Sequence, residues 1–200
     1  MKQYIYQHDR WPDLYWSNDE CIGFLGEVRH LQGRLLGRME SLGFEVRNEA
    51  VLDTLTLDVL KSSEIEGEIL HPVQVRSSVA RKLGLEIAGS MESDRNVDGM
   101  VEMMLDATQN CFEPLTMERL FSWHAAMFPS GRSGMLEITV ADWRDDSTGP
   151  MQVVSGAMGK ERIHFQAPDS SLIPFEMKRF IDWYNDNNII DLVLKAAVAH

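Results

Sequence analysis

The sequence predicts a mainly α-helical fold with one β-hairpin. Apolar side chains recur at helical spacing from residue 17 to about residue 128, and again from Pro174 onward. Between Pro129 and Pro174 this pattern is lost, and two short apolar runs flank a turn that contains two glycines. These three observations favour helices on both sides of a single short hairpin.

The first predicted helix opens at a capping box, Ser17-Asn18-Asp19-Glu20. The Ser17 hydroxyl is expected to accept the N–H of Glu20, whose side chain reaches back to the start of the helix. The apolar positions that follow are Cys21, Leu25, Val28, Leu35, Met39 and Leu42. Gly43 suits the C-terminal end, which gives a helix of about seven turns at 3.6 residues per turn.

Two more helices follow before residue 90. The second is predicted from about Glu49 toward Glu66, where Gly67 stops it, and it carries one apolar face of Leu52, Leu55 and Val59. The third begins at Pro72, because proline suits the first helical position. It continues through Val75, Val79 and Leu83, and Gly84 ends it.

The second half of the chain predicts four helices and the hairpin. One helix runs from about Val97 to Thr108, and Thr116 caps the next. The hairpin pairs Val153-Val154 with Ile163-His164-Phe165. Pro174 opens a further helix, and a last helical segment starts at about Ile190. We expect two domains, residues 1–90 and residues 91–200.

Composition restricts the classes of function. The chain has 200 residues and a formal net charge of −12, so its surface repels nucleic acid, and we expect no nucleic-acid partner for this region. Cys21 and Cys111 are isolated from each other and from paired histidines, which argues against a metal site. No stretch has the character of a signal peptide or a membrane span. We therefore expect a cytoplasmic protein with no membrane partner.

The end of the second helix carries an unusual set of charges. Ser62 and Glu66 are four residues apart and share one helix face, and Glu66 lies at the negative end of the helix dipole. The dipole disfavours a carboxylate there by a few tenths to about 1 kcal/mol. Glu64 and Glu68 add two more like charges. From the residues alone, this helix end is either a solvated acidic tip or a docking point for a cation.

The string Ser62-Ser63-Glu64-Ile65-Glu66-Gly67 matches the pattern (S/T)xxxE(G/N). Trp123-His124, then Trp143-Arg144, then Val153-Val154-Ser155-Gly156 and Ile163-His164-Phe165-Gln166-Ala167-Pro168 follow in order. Ala196-Ala197-Val198-Ala199-His200 comes last. In these motifs and their order, nearly the whole chain resembles the Fic family, with an N-terminal domain that bears the inhibitory helix of that family.

The resemblance implies a Fic-like helical fold in which the hairpin is the flap. It implies transfer of AMP from ATP, with Mg²⁺, to a Ser, Thr or Tyr hydroxyl of a target protein. The family performs this chemistry with the motif HxFx(D/E)GNGRxxR, which does not occur in these 200 residues. We therefore expect the motif shortly after His200 in a longer protein. The 200 residues alone are expected to be inactive, with no catalytic residue, no metal site and no bound ATP or Mg²⁺.

The resemblance also assigns roles to particular residues. Glu66 corresponds to the inhibitory glutamate, which pairs with the second arginine of the motif and displaces the γ-phosphate of ATP. Ser62 corresponds to the first residue of the pattern, which would hold the helix end in place, and Gly67 would permit the turn that ends the helix. The flap would pin an extended target segment by strand addition. Its residues are Ile163, His164, Phe165, Gln166 and Ala167. Ile163 and Phe165 equally suit ordinary hairpin packing, and both interpretations stay open.

Other functions remain open at this stage. One is a non-enzymatic helical module that binds a protein partner, and another is a Fic relative that transfers UMP or phosphate. A homodimer is left open, because without the remainder of the expected Fic core the apolar face of the last helix would be exposed. Arg76, Arg81 and Lys82 form a basic cluster in an acidic chain. For this cluster we favour a solvated helix face with salt bridges over a phosphate or partner site.

Overall fold

The computed structural model describes residues 4–65, 67–133, 136–147, 149–157, 159–186 and 191–200. Its helices are α1 (Asn18–Glu40), α2 (Phe44–Ile65), α3 (Pro72–Lys82), α4 (Arg95–Gln109), α5 (Met117–Met127), α6 (Ile173–Asn185) and α7 (Leu192–Ala199). Its strands are β1 (Arg132–Ser133), β2 (Leu136–Glu137), β3 (Gln152–Ser155) and β4 (Arg162–Gln166). The mainly helical class and the β3–β4 hairpin are confirmed. The short β1–β2 pair was not predicted.

Three helix starts follow the predicted capping chemistry. The Ser17 hydroxyl accepts the N–H of Glu20 at 3.3 Å, and the Thr116 hydroxyl accepts the N–H of Arg119 at 3.1 Å. Pro72 occupies the start of α3. The end predicted at Glu66 and the start predicted near Ile190 lie outside the described residues.

The turn between α1 and α2 differs from the prediction. Gly43 does not end α1, because its carbonyl accepts the N–H of Arg47 at 3.0 Å and so begins the hydrogen bonding of α2. The Arg47 guanidinium donates to the carbonyls of Glu40 and Leu42, at 3.3 and 3.4 Å. The bond to Glu40 satisfies a carbonyl that the end of α1 leaves free, and the bond to Leu42 satisfies a carbonyl in the turn that follows. The second helix therefore starts at Phe44, earlier than the predicted Glu49.

The chain forms two compact units. The first contains Met1–Gly33 and Trp143–His200, and the second contains Arg34–Asp142. The domain boundary expected at residue 90 lies inside the second unit, so the two compact units do not coincide with the two expected domains. The two expected domains stay a prediction. The second unit has a continuous core of buried aliphatic side chains from α2, α3 and α4. Its members are Leu52, Val59, Val75, Val79, Ala80, Val97, Val101 and Leu105.

Helical periodicity located α1 but did not predict its burial. Val28 and Leu35 belong to the apolar face expected for this helix, yet they are 37% and 62% exposed. Ile22 and Phe24, outside that face, are exposed as well.

Among the described helices, none is both long enough and apolar enough to cross a bilayer.

Close packing of α4 against α5 depends on Gly99. A Cβ atom at this position would lie 1.8 Å from the carbonyl oxygen of Ala126. A backbone atom cannot move aside as the end of a flexible side chain can, so only glycine permits this approach. Gly37 in α1 is a useful contrast, because nothing lies within 4 Å of the corresponding Cβ position.

We expect Gly99→Ala to lower the free energy of unfolding by about 1–3 kcal/mol through overpacking. Gly37→Ala is the matched control, since it adds the same methyl group to an open helical position. It should raise the free energy of unfolding by up to about 1 kcal/mol, because alanine favours helix. Urea denaturation followed by circular dichroism measures both changes, and equal effects of the two substitutions would contradict the packing argument.

Candidate functional site

The C-terminal end of α2 is closed by two backbone hydrogen bonds. The N–H of Gly67 donates to the carbonyl of Glu64 at 3.1 Å, and the N–H of Glu68 donates to that of Ser63 at 2.9 Å. Gly67 has φ +86°, a left-handed conformation that glycine adopts without strain. This is the Schellman arrangement that commonly ends helices at glycine. The sequence therefore ends α2 with a defined turn.

The side chains at this helix end divide into anchored and exposed groups. Ser63 is fully buried, and its hydroxyl makes no hydrogen bond within the described part of the chain. Ser62 is exposed. Glu64 is exposed as well and pairs with Lys61 at 2.6 Å, an exposed ion pair of a kind that contributes about 1 kcal/mol at most. Glu66, the predicted inhibitory residue, lies outside the described residues.

Helix α2 is held against α3 by charge as well as by its apolar face. Arg76 of α3 donates to the carboxylates of both Asp53 and Glu49, the latter at 2.5 Å. The hydrogen bond to Asp53, opposed by partial burial and reinforced by Glu49, raises the pKa of the Arg76 guanidinium. One cation thus connects two turns of α2 to α3.

The other two members of the basic cluster also pair with acids. Arg81 contacts Asp98 at 2.7 Å, and Lys82 contacts Glu102 at 3.3 Å. Both acids belong to α4. The prediction that Arg76, Arg81 and Lys82 form salt bridges on a helix face is confirmed.

Asp98 is a junction between α3, α4 and the segment that connects them. Its Oδ1 atom accepts bonds from the hydroxyls of Ser78 and Ser93, at 2.5 and 2.6 Å, besides the contact with Arg81. Burial favours the neutral acid, but these hydrogen bonds and the positive charge outweigh it and hold the pKa of Asp98 below its usual value. Ser78 is fully buried, so the junction also satisfies a polar group in the core.

A second polar junction, at the contact of α4 and α5, was missed by sequence reasoning. Asp106 accepts hydrogen bonds from Asn110, Arg119 and Trp123, each at 2.7 Å. The Asn110 hydrogen bond, followed by that of Arg119, lowers the pKa of Asp106 to about 2. The ring of Trp123 lies under the Arg119 guanidinium, 5.0 Å from centroid to carbon. No spacing rule links residues 13 and 17 positions apart on two different helices, so no sequence signal indicated these pairs.

Arg119 acts here as a structural clamp. Besides the carboxylate of Asp106, it donates to the backbone carbonyls of Asp106, Asn110 and Glu113, at 2.9, 2.9 and 3.0 Å. These carbonyls belong to the end of α4 and the turn that follows it. The guanidinium therefore satisfies groups that a helix end leaves free, and its donors are engaged within the protein.

The β3–β4 hairpin contains the predicted docking residues. Its register pairs Val153 with Phe165 and Val154 with Ile163, so His164 is an extra residue in a β-bulge. Because neighbouring residues of β3 point to opposite faces, the bulge prevents Ile163 and Phe165 from sharing one face as they would in a regular strand. Ile163 is 43% exposed, whereas Phe165 is half-buried.

Phe165 packs against the N-terminal segment. The ring of Tyr4 meets it edge-on at 5.3 Å between centroids, and the ring of Tyr6 does so at 6.0 Å. The Tyr6 hydroxyl donates to the carbonyl of Gln166 at 2.9 Å. These contacts favour a packing role for Phe165, while the exposed Ile163 stays available.

The Gln166 carbonyl lies on the outer edge of β4. The N–H of Ala167 donates to Met151 at 2.9 Å, which makes the neighbouring Gln152–Gln166 pair the non-hydrogen-bonded type. The side chains of such pairs lie close, and the two amide groups are bonded at 2.9 Å. Tyr6 therefore occupies an acceptor that an added strand would otherwise use.

A polar network holds the chain where it leaves the hairpin. Arg144 donates to Asp146 and to the carbonyl of Pro168, and Asp146 accepts the N–H of Ser170 at 2.7 Å. The predicted Trp143-Arg144 motif thus supplies a cation that fixes the exit of β4. The hairpin and this network belong to the first unit, whereas Ser62 and Gly67 belong to the second.

Comparison with known proteins finds a family match over the first part of the chain. A family model described as a domain of unknown function, DUF4172, matches residues 4–85. This stretch holds α1, α2 and α3, together with the predicted inhibitory segment. The description names no activity, and no curated protein matches the chain. Within the described residues, no group of three or more His, Cys, Asp or Glu side chains is placed to hold a metal ion.

We expect the Asp106 junction to give the protein a distinct acid dependence. Its folded-state pKa of about 2 lies below the ordinary value of 3.8, so its contribution to stability is present above pH 3.8 and is lost as the pH falls toward 2. Asp106→Asn should lower the free energy of unfolding at neutral pH by about 1–3 kcal/mol, and it should flatten the acid dependence between pH 4 and pH 2.

Asp182→Asn is the matched control, because it breaks an exposed ion pair with Lys178 on α6. Its effect should stay below about 1 kcal/mol. Urea denaturation at a series of pH values measures both variants. An acid dependence in Asp106→Asn as steep as that of the unaltered protein would refute the assignment.

Proposed function

We propose that these residues are the N-terminal portion of an autoinhibited Fic protein adenylyltransferase of the cytoplasm. The longer protein transfers AMP from ATP, in the presence of Mg²⁺, to a Ser, Thr or Tyr hydroxyl of a target protein. The observation that carries the proposal is the construction of the α2 end, where the exposed Ser62 and the Gly67 turn flank the buried Ser63. DUF4172 similarity over the same stretch is compatible with the proposal but names no activity.

A brake of this kind needs a carboxylate on a rigid support. Leu52 and Val59 of α2 are buried, and Arg76 ties α2 to α3, so the helix cannot shift without disturbing the core. In the proposal, Glu66 meets the second arginine of HxFx(D/E)GNGRxxR. Sheltered from water, a bidentate pair of guanidinium and carboxylate is among the stronger polar contacts in proteins. That pair removes the arginine from the γ-phosphate of ATP and so blocks productive nucleotide binding.

The hairpin supports the target-docking part of the proposal. Tyr6 occupies an acceptor on the β4 edge, so the outer edge of β3 is the one that suits an added strand. The hairpin exposes Val153, Val154 and Ile163 at 56%, 46% and 43%. An extended target segment adding to such an edge gains backbone hydrogen bonds and apolar contacts together. In this arrangement Ile163 faces the target and Phe165 supports the hairpin from behind.

A second candidate is a non-enzymatic module that binds a protein partner. Exposed apolar side chains on α1 favour it, since Ile22 and Phe24 are 71% and 73% exposed. The two candidates differ in what the gene encodes beyond His200. The adenylyltransferase requires HxFx(D/E)GNGRxxR there, whereas the binding module does not. Transfer of UMP or phosphate is the alternative within the enzyme class. The mass of the transferred group distinguishes AMP, UMP and phosphate.

We expect Glu66→Gly in the full-length protein to raise self-modification with ATP and Mg²⁺ by about tenfold or more, which corresponds to about 1.4 kcal/mol of relieved inhibition. Intact-mass spectrometry measures the transferred group. Glu64→Gly is the matched control, because Glu64 lies on the same helix end but pairs with Lys61. Its activity should change by less than about twofold, and an equal rise in both variants would contradict a specific brake.

A further inference from the structure

Helix α1 carries a row of exposed apolar side chains along one side. Four of them recur at intervals of four, three and four residues: Phe24, Val28, Leu31 and Leu35. Their exposed fractions range from 37% to 73%. Steps that alternate between four and three keep apolar side chains facing a neighbouring helix in a coiled coil. These four residues, which we call the α1 seam, therefore have the spacing of a coiled-coil contact and are left exposed.

The described part of the chain gives α1 little support. The structure describes every residue of this helix, from Asn18 to Glu40, and none of them is buried. Packing of an apolar face supplies most of the stability of helices in proteins, and α1 lacks it. The helix also contains four residues that each weaken a helix interior: Gly23, Gly26, Gly33 and Gly37. A helix so built needs a partner on its apolar side.

An ion pair between α1 and a distant segment lies away from the seam. The Arg29 guanidinium binds the Asp191 carboxylate at 2.8 Å. At 3.6 residues per turn, Arg29 lies about 140° round the helix axis from Phe24. This contact therefore leaves the seam open to a second molecule.

Two charges flank the seam and are free to pair with a partner. Glu27 and Arg34 each directly precede a seam residue, so both lie on the same side of the seam. They are seven positions apart, whereas charges on one helix pair at three or four positions. Both are exposed, and neither forms an ion pair within the described residues.

An antiparallel second copy satisfies both of these charges. It places Glu27 of one copy beside Arg34 of the other, and two-fold symmetry repeats the pair. A parallel copy in register would instead place Glu27 beside Gln32, and it would set Arg38 against the same arginine of the other copy. The parallel arrangement pairs no opposite charges and brings like charges together, so the charges favour the antiparallel one.

We propose that the α1 seam binds the α1 seam of a second copy of this chain, in an antiparallel coiled coil. Phe24 of one copy packs with Leu35 of the other, and Val28 packs with Leu31. Each contact occurs twice, because a two-fold interface presents the same patch from both copies. This surface is distinct from the apolar face of the last helix, and the inference does not depend on the proposed transfer of AMP.

The first test exchanges the two charges in the full-length protein and measures the dissociation constant of the dimer by sedimentation equilibrium. Glu27→Arg should weaken the dimer roughly tenfold or more, because it sets two arginines together at both symmetric positions. Arg34→Glu should do the same by setting two glutamates together. The double variant should recover the affinity of the unaltered protein, since it restores both pairs with their charges exchanged.

Glu40→Arg is the matched control for the charge exchange. Glu40 is an exposed residue of the same helix that lies about 160° round the axis from Phe24. Its reversal should change the dissociation constant by less than about twofold. A double variant that stays as weak as the single variants would overturn the antiparallel pairing.

The second test removes an apolar contact from the seam. Phe24→Ser should weaken the dimer roughly a hundredfold or more, because an aromatic side chain is lost at two places in the interface. Ile22→Ser is the matched control, since Ile22 is 71% exposed and Phe24 is 73% exposed, but Ile22 lies about 160° away round the helix axis. Equal weakening by the two substitutions would overturn the seam. Circular dichroism checks that the variants keep their helix content.

The remaining outcomes identify another occupant of the seam. A full-length protein that is monomeric at every concentration overturns the proposal. If Phe24→Ser then lowers the free energy of unfolding of the monomer and Ile22→Ser does not, a later segment of the same chain covers the seam. A dimer that survives Phe24→Ser unchanged forms through a different surface and also overturns the proposal. Transfer of AMP is measured separately, so none of these outcomes decides the proposed function.

Discussion

The packing of α2, α3 and α4 around one aliphatic core is the interaction on which the second unit depends. Leu52, Val79 and Val101, one from each helix, are fully buried. Burial of such side chains stabilises by roughly 1.5–3 kcal/mol each, far more than any exposed ion pair nearby. The polar junctions around this core connect particular residues of neighbouring helices and so fix how the helices are paired. Asp98 joins α3 to α4, and Asp106 joins α4 to α5.

Local patterns were sufficient for the architecture but not for its long-range contacts. Helical periodicity, the Ser17 and Thr116 caps and the proline at α3 are properties of a few neighbouring residues, and the structure contains all of them. Burial is a property of the whole fold, and periodicity could not show that Leu35 is exposed. Gly43 suited either the end of α1 or the start of α2. In the structure the Arg47 guanidinium bonds the carbonyl at the end of α1, and the Gly43 carbonyl begins the hydrogen bonding of α2.

The candidate site shows the same limit more sharply. Ser62 and Gly67 could be singled out because a short string carries their pattern, and Ile163 and Phe165 because the hairpin was predictable. Their different environments were not predictable, since they depend on a bulge at His164 and on Tyr4 and Tyr6 from the far end of the chain. The Asp106 junction had no signal at all, because aspartate, arginine and tryptophan on two helices match no motif.

The contact between Tyr6 and Gln166 has a consequence for the order of folding. The two residues are separated by 160 positions, and the unit that they help to form is built from two separate segments, Met1–Gly33 and Trp143–His200. The second unit, by contrast, is one continuous segment. Contacts between distant residues form late because the intervening loop must close first, and on the ribosome the distant partner must also be synthesised. Tyr4 and Tyr6 therefore cannot make their contacts with β4 until β4 has left the ribosome, and their rings stay exposed to water until then. During that interval the continuous unit can already form its core.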